Sequence, residues 1–438
     1  MGTDRQRTRE RLRLGGLIVL HIVVCCASLV RLADSDFAVA VDPAPFHIFF
    51  KPALLHVAML AVGSFCLVAI LFTTARFSFG YVVGFYSYTM VLSYLWLNCF
   101  TDLDYDHRLS GASAAISAVA FLLPALFITA PLRQVWVLTP AQFDRFLMAI
   151  LLSAAAVIAV GASYNFQLVA IEDINDFRDK IETPALLKYL TGIASSALLP
   201  FAFAGFAARK AYARAGAVLL LLLCLYPITL SKVALYTPCL LVGFLVLSKI
   251  FEARTAVILS LLGPLLAGLV LVYLLGGHGG TYLSLVNLRV VAIPAIAIDV
   301  YNDFFSKHDL THFCQISFSK YLIACPYQEY LSVVMERAYK IGNFNASLFA
   351  TEGIASVGVM WAPLPVFVCG LVIALANRVS AGLPASFILI SGAIIPQILL
   401  NVPLTTTLLS HGAAILFLLW YLTPRAMFQL ETSEQPRT

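Results

Sequence analysis

Three cations stand out for the chemistry they could do: Arg178, Lys232 and Arg289, each at or near the end of a long apolar block. A guanidinium or ammonium held there can bind phosphate, and three converging on one cavity would suit a diphosphate. Lys232 is the sharpest case, because Leu230-Ser231-Lys232-Val233 joins two apolar blocks with almost no connection. For a single lysine the plainer account is snorkelling, in which the stem lies along apolar surface and the head reaches lipid headgroups. The carboxylates Asp299, Asp303 and Glu352 are candidates for a general base or for holding a sugar. Asp299 and Asp303 are four apart, so on a helix they share a face, and a solvated face satisfies that spacing equally well. Glu352 differs: Leu348-Phe349-Ala350-Thr351-Glu352-Gly353 is already entering an apolar block, where a carboxylate requires a partner or a watery cavity. His278 lies between two glycine pairs, which reads either as a flexible catalytic loop or as a mobile connector with an incidental histidine. Arg337 is a reserve cation, and Tyr301, Asn343 and Asn345 offer hydrogen bonds or packing to sugar rings. No metal is expected, since HExxH is absent and His308 and His312 have no third ligand nearby.

The elements that must position these groups belong to a membrane. Apolar types make up 61% of the 438 residues and charged types only 12%, with mean hydropathy +0.90. That composition excludes a water-soluble domain and implies an all-α, polytopic membrane helical bundle forming one integral domain over residues 1–438. Runs of about 20 apolar residues predict about twelve spans, near 14–33, 53–73, 79–99, 111–130, 147–168, 189–208, 215–230, 233–250, 255–275, 354–376, 382–400 and 407–423. The first is not followed by a small-residue cleavage site and reads as a retained helix. One stretch breaks the pattern. Residues 276–353 predict a large loop between the ninth and tenth spans, with short amphipathic or apolar pieces at 293–298 and 330–335.

Lysine and arginine set the orientation. With the Arg-rich N-terminus (Arg5, Arg7, Arg9, Arg11, Arg13) on the cytoplasmic side, twelve spans put sixteen of the 28 basic residues inside and seventeen of the 23 acidic ones outside. Both termini are then cytoplasmic and the long stretch faces outward. Three further outer connections carry polar residues, the densest being Thr101-Asp102-Leu103-Asp104-Tyr105-Asp106-His107-Arg108. Seven of the nine cysteines sit in or beside apolar blocks as small hydrophobes. Cys314 and Cys325 fall in the long stretch, where an oxidising compartment would allow a disulfide and two buried thiols are the alternative.

The order of several short motifs resembles a known family. Asn175-Asp176-Phe177-Arg178 precedes a block containing Leu199-Pro200, and two blocks then meet at Leu230-Ser231-Lys232. Asn287-Leu288-Arg289, Ile293-Pro294-Ala295 and Val300-Tyr301-Asn302-Asp303-Phe304-Phe305 follow, and then Gly342-Asn343-Phe344-Asn345-Ala346-Ser347 running on to Glu352-Gly353. Over roughly residues 165–375 this resembles the bacterial oligosaccharide repeat unit polymerases, the Wzy-type enzymes of O-antigen and exopolysaccharide synthesis. The resemblance implies a GT-C-like membrane glycosyltransferase in the bacterial inner membrane that needs no cofactor. Its partners would be an undecaprenyl-pyrophosphate-linked oligosaccharide, membrane lipid and a chain-length regulator protein, with no nucleic acid. A growing glycan would move from its lipid diphosphate to a hydroxyl of a new lipid-linked repeat unit at the periplasmic face. Arg178, Lys232 and Arg289 would stabilise the leaving diphosphate, and Glu352, Asp303 or a loop histidine would take the acceptor's proton. The alternatives are an O-antigen ligase-like transferase, and a transporter or flippase for lipid-linked sugars.

Overall fold

In a computed structural model, residues 2–34, 46–169, 177, 183–316, 323–342 and 346–428 are described. Arg178, Asn343 and Asn345 lie outside them. Among the described residues the chain is all-helical. It runs through α1 (Gly2–Leu32), α2 (Pro52–Thr74), α3 (Phe79–Leu97), α4 (His107–Phe127), α5 (Pro140–Tyr164) and α6 (Ala185–Ala208). There follow α7 (Tyr212–Thr229), α8 (Lys232–Ile250), α9 (Ala253–Leu275), α10 (Gly277–Phe305), α11 (Leu331–Tyr339) and α12 (Pro363–Ser380). Four short helices end the described chain: α13 (Ala385–Ser391), α14 (Ile394–Leu399), α15 (Leu404–Leu409) and α16 (Ala413–Leu422).

Among the described residues, ten helices are long and apolar enough to cross a membrane by length and composition, as a multi-pass membrane protein requires. The sequence predicts about twelve, and the differences have identifiable causes. The runs 382–400 and 407–423 are each broken into shorter helices. Pro403 precedes α15, and Gly412, at φ 72°, supplies the left-handed turn before α16. Helix α3 forms as expected, but its tyrosines, serines and threonine leave it less apolar than the ten long helices, and every one of its residues is buried. It is a core helix. The largest departure is α10: 29 residues of continuous helix stand where a loop with short helices is expected.

The chain forms two compact units: Met1–Ile128, Arg254–Leu375 and Gln397–Thr406 in the first, and Thr129–Ala253, Ala376–Pro396 and Thr407–Thr438 in the second. In the second, Thr139 and Gln142 close a capping box at the start of α5, and Arg209 grips Asp144 with two hydrogen bonds of 3.1 and 2.6 Å. Phe201 packs against both Phe143 and Phe387, and the Trp420 indole donates to Ser391 Oγ at 2.9 Å.

The first unit is built around α3. Helix α2 lies antiparallel along it, with Phe65 stacked on Tyr88 and Phe72 against Tyr81 and Phe85. Helices α1 and α9 run parallel to α3. Arg254 at the start of α9 reaches Glu10 and the Ala75 carbonyl, His21 of α1 meets Thr89 at 2.8 Å, and Tyr86 meets Ser260 at 3.1 Å.

Helix α10 does not follow that direction. Asn287 donates to Ser28 Oγ (2.8 Å), in the last turns of α1. Asn302 donates to the Tyr94 hydroxyl (3.1 Å), one turn before the end of α3, and Asp299 accepts from Thr101 just past that end. From 287 to 302 the helix travels about 22 Å, yet Ser28, Tyr94 and Thr101 all sit towards the same ends of α1 and α3, and Asn287 also donates to the Leu265 carbonyl in the middle of α9 (2.9 Å). Helix α10 therefore lies across that end of the first unit. Its composition passes for a span while its contacts make it a crossbar.

The glycine-rich run before it is a tight helical hairpin. Gly276, at φ 56°, turns the chain between α9 and α10, and a Cβ on Gly279 would lie 2.4 Å from the Leu271 carbonyl oxygen. The glycines let two backbones touch. His278 is exposed on the first turn of α10, on a built turn and not on a flexible loop.

Candidate functional site

Asp299, Asp303 and Glu352 are the buried carboxylates among the described residues, and all three lie on α10 or against it. The spacing of Asp299 and Asp303 does place them on one helix face, but that face is covered by the connection 101–106. Asp299, 1% exposed, accepts from the Thr101 hydroxyl at 2.7 Å and from the Tyr105 hydroxyl. Asp303 accepts from Lys307 Nζ (2.6 Å), the Tyr339 hydroxyl (2.6 Å) and the Asp104 amide (3.0 Å). Three donors, one of them charged, suit an ionised carboxylate. Burial, and then the Asp303 carboxylate, raise the Tyr339 phenol, while burial and Asp299 raise that of Tyr105. Both hydroxyls remain donors. Behind Tyr105 stands Asn98, whose Oδ1 lies 2.9 Å from the Tyr105 hydroxyl and 3.0 Å from His107 Nδ1.

Glu352 forms a second centre. It lies in a π-helical stretch, Phe349–Ala355, and is 2% exposed. The partner its position demands is the start of α15: the Thr405 amide and hydroxyl donate to Oε1 at 2.9 and 3.0 Å. Oε2 is buried with no hydrogen-bond partner. Tyr301, also buried, hydrogen-bonds the neighbouring Thr351 side chain. Burial pushes the Glu352 carboxyl from 4.5 up to about 7, against the Thr405 donors that act to lower it. A folded-state value above the unfolded one means stabilisation fully present below pH 4.5 and lost as pH rises through about 7. The unfolding midpoint in detergent should therefore fall between pH 5 and pH 8, and Glu352→Gln should flatten that fall. An unchanged slope in the variant would assign the pH dependence elsewhere.

Other predicted groups are dispersed. Arg289 is exposed, inside the π-helical stretch Leu283–Ala292 of α10, an irregularity frequent at functional sites. Lys232 is the half-buried first residue of α8, in the second unit. Arg337 is an exposed partner of Glu329 at 2.6 Å, a surface pair of small energetic weight. Cys314 and Cys325 are disulfide-bonded, with Cα atoms 5.3 Å apart. Among the described residues no three His, Cys, Asp or Glu side chains gather as they would around a metal ion. Sequence reasoning missed Thr101, Tyr105, Asn98, Lys307 and Tyr339. The one signal available was the acidic and aromatic density of 101–108, which turns out to cover the carboxylate face. No family model, curated protein or solved structure matches the chain.

Proposed function

We propose that the chain is a membrane glycosyltransferase that polymerises lipid-linked oligosaccharide repeat units at one face of the membrane. The observation that carries it is the pair of buried carboxylates Asp299 and Asp303 on α10 at the end of the first unit where α3 finishes, with the buried Glu352 packed against the same helix. A carrier that moves its cargo across the bilayer would need polar groups along its length. A polar centre at one end suits a reaction at one surface. The Cys314–Cys325 disulfide supports an oxidising, external compartment for that end.

In the transfer, the acceptor hydroxyl oxygen attacks the anomeric carbon, the bond to the lipid diphosphate breaks, and the diphosphate leaves with the electron pair. Arg289 neutralises the leaving group. Asp303 already accepts three hydrogen bonds, whereas Glu352 keeps one oxygen unengaged, so Glu352 is the better receiver of the hydroxyl proton. A carboxyl near 7 is poised for that task.

The test supplies purified protein with a polyprenyl-diphosphate-linked repeat unit and resolves the glycan on a gel. A ladder spaced by one repeat is expected, falling about a hundredfold in Arg289→Ala. Single-unit transfer to another acceptor without a ladder would mean a ligase. Passage of the intact lipid-linked unit across vesicles without lengthening would mean transport.

A further inference from the structure

On the first unit, α2, α3 and α4 border a cleft of about 750 Å³ that meets the Asp299 centre only at its polar end, through Asn98 and His107. Along most of its length the wall is apolar, with Val57, Phe65, Val68, Ile116 and Val119. Gly111, Ala112 and Ala115 contribute little or no side chain there, and a Cβ on Gly111 would already lie 3.1 Å from Asn98 Nδ2. The wall turns polar at one end, where α3 finishes and α4 begins: Asn98, His107 and Arg108. Two of the three bounding helices, α2 and α4, are long and apolar enough to cross a membrane. An open apolar cleft between such helices is covered in a bilayer by lipid chains.

We propose that this cleft binds one anionic phospholipid of the surrounding bilayer, its chains along the apolar wall and its phosphate at Arg108. Arg108 is exposed and is the charged cation among the lining residues. Two carboxylates of the same connection are engaged, Asp106 capping α4 by accepting from the Arg108 and Leu109 amides (3.1 and 2.9 Å) and Asp102 pairing with His47 at 2.7 Å, while Asp104 is exposed to solvent. Asn98 is held by three contacts, donating to the His107 carbonyl (2.9 Å) while its Oδ1 meets Tyr105 and His107. The polar end is therefore preformed, and apolar and polar surfaces follow one another in the order of a lipid's chains and headgroup. A free phosphate would leave the apolar wall uncovered, and a zwitterionic lipid would gain less from Arg108.

The experiment uses the full chain, delipidated in detergent and titrated with phosphatidylglycerol or with phosphatidylcholine of the same chains, bound lipid being counted by native mass spectrometry. One phosphatidylglycerol should be retained in preference to phosphatidylcholine. Arg108→Gln should weaken phosphatidylglycerol about tenfold and phosphatidylcholine by much less, with Arg108→Lys restoring most of the preference. Ala115→Trp, filling the cleft, should weaken both lipids, and thermal unfolding of each variant checks that the fold persists. Equal retention of phosphatidylglycerol by the wild type, Arg108→Gln and Ala115→Trp would overturn the site. A polyprenyl phosphate displacing phosphatidylglycerol at equal concentration would overturn the choice of occupant.

Discussion

Asp303→Ala should destabilise the purified protein by about 3 kcal/mol, the scale at which one partner is removed from a buried charged pair. The substitution takes the common acceptor from the Lys307 ammonium, the Tyr339 hydroxyl and the Asp104 amide. The Lys307 side chain is 45% exposed and can turn to water, which puts the figure at the low end of that scale. Tyr339 is half-buried, so its hydroxyl regains water only in part while the connection 101–106 stays seated on α10. Lys307→Met leaves the buried Asp303 carboxylate with two neutral donors and no cation, and should cost about 1 to 3 kcal/mol. Denaturant unfolding in detergent measures both. An Asp303→Ala midpoint indistinguishable from wild type would mean the connection is held by something else.

Gly279→Ala should cost about 2 kcal/mol or more, although alanine is ordinarily the better helix residue. The added Cβ would sit 2.4 Å from the Leu271 carbonyl oxygen, 2.5 Å from its carbon and 2.6 Å from the Val272 nitrogen. All three are backbone atoms, so relief requires separating α9 from α10 and not merely rotating a side chain. Gly16→Ala is the comparison. Its Cβ meets nothing within 4 Å on a helix, and the change should stabilise by up to about 1 kcal/mol. Thermal unfolding of the two variants should move in opposite directions. If both rise, the hairpin has slack that the 2.4 Å approach does not suggest.

The apolar blocks were legible because a bilayer demands a composition and a length that propensity alone does not produce. Nine of the ten long apolar helices coincide with predicted runs. Helix α10 was not legible, because 293–298 is apolar enough to span while Asp299 and Asp303 mark it as polar surface. Only the contacts of Asn287 and Asn302 reveal its direction. The shared face of Asp299 and Asp303 followed from their spacing; its burial did not, since Thr101 and Tyr105 are about two hundred positions away. Glu352 announced itself by sitting at the entry to an apolar block, and it is indeed buried with a partner. The glycines around His278 misled, because a sequence does not distinguish glycine used for mobility from glycine used for close approach.

The crossbar also orders events during synthesis. Helices α1 to α4 emerge first, and the 125 residues of Thr129–Ala253 belong to the other unit. The partner Thr101 and Tyr105 await is separated from them by 198 and 194 positions, and Ser28 waits 259 positions for Asn287. At ordinary elongation rates that is about 10 to 40 s during which the end of α3 stands uncapped. The nascent first unit therefore spends that interval with an open, polar-lined end, and chaperones or proteases at the membrane have that long to act before α10 closes it.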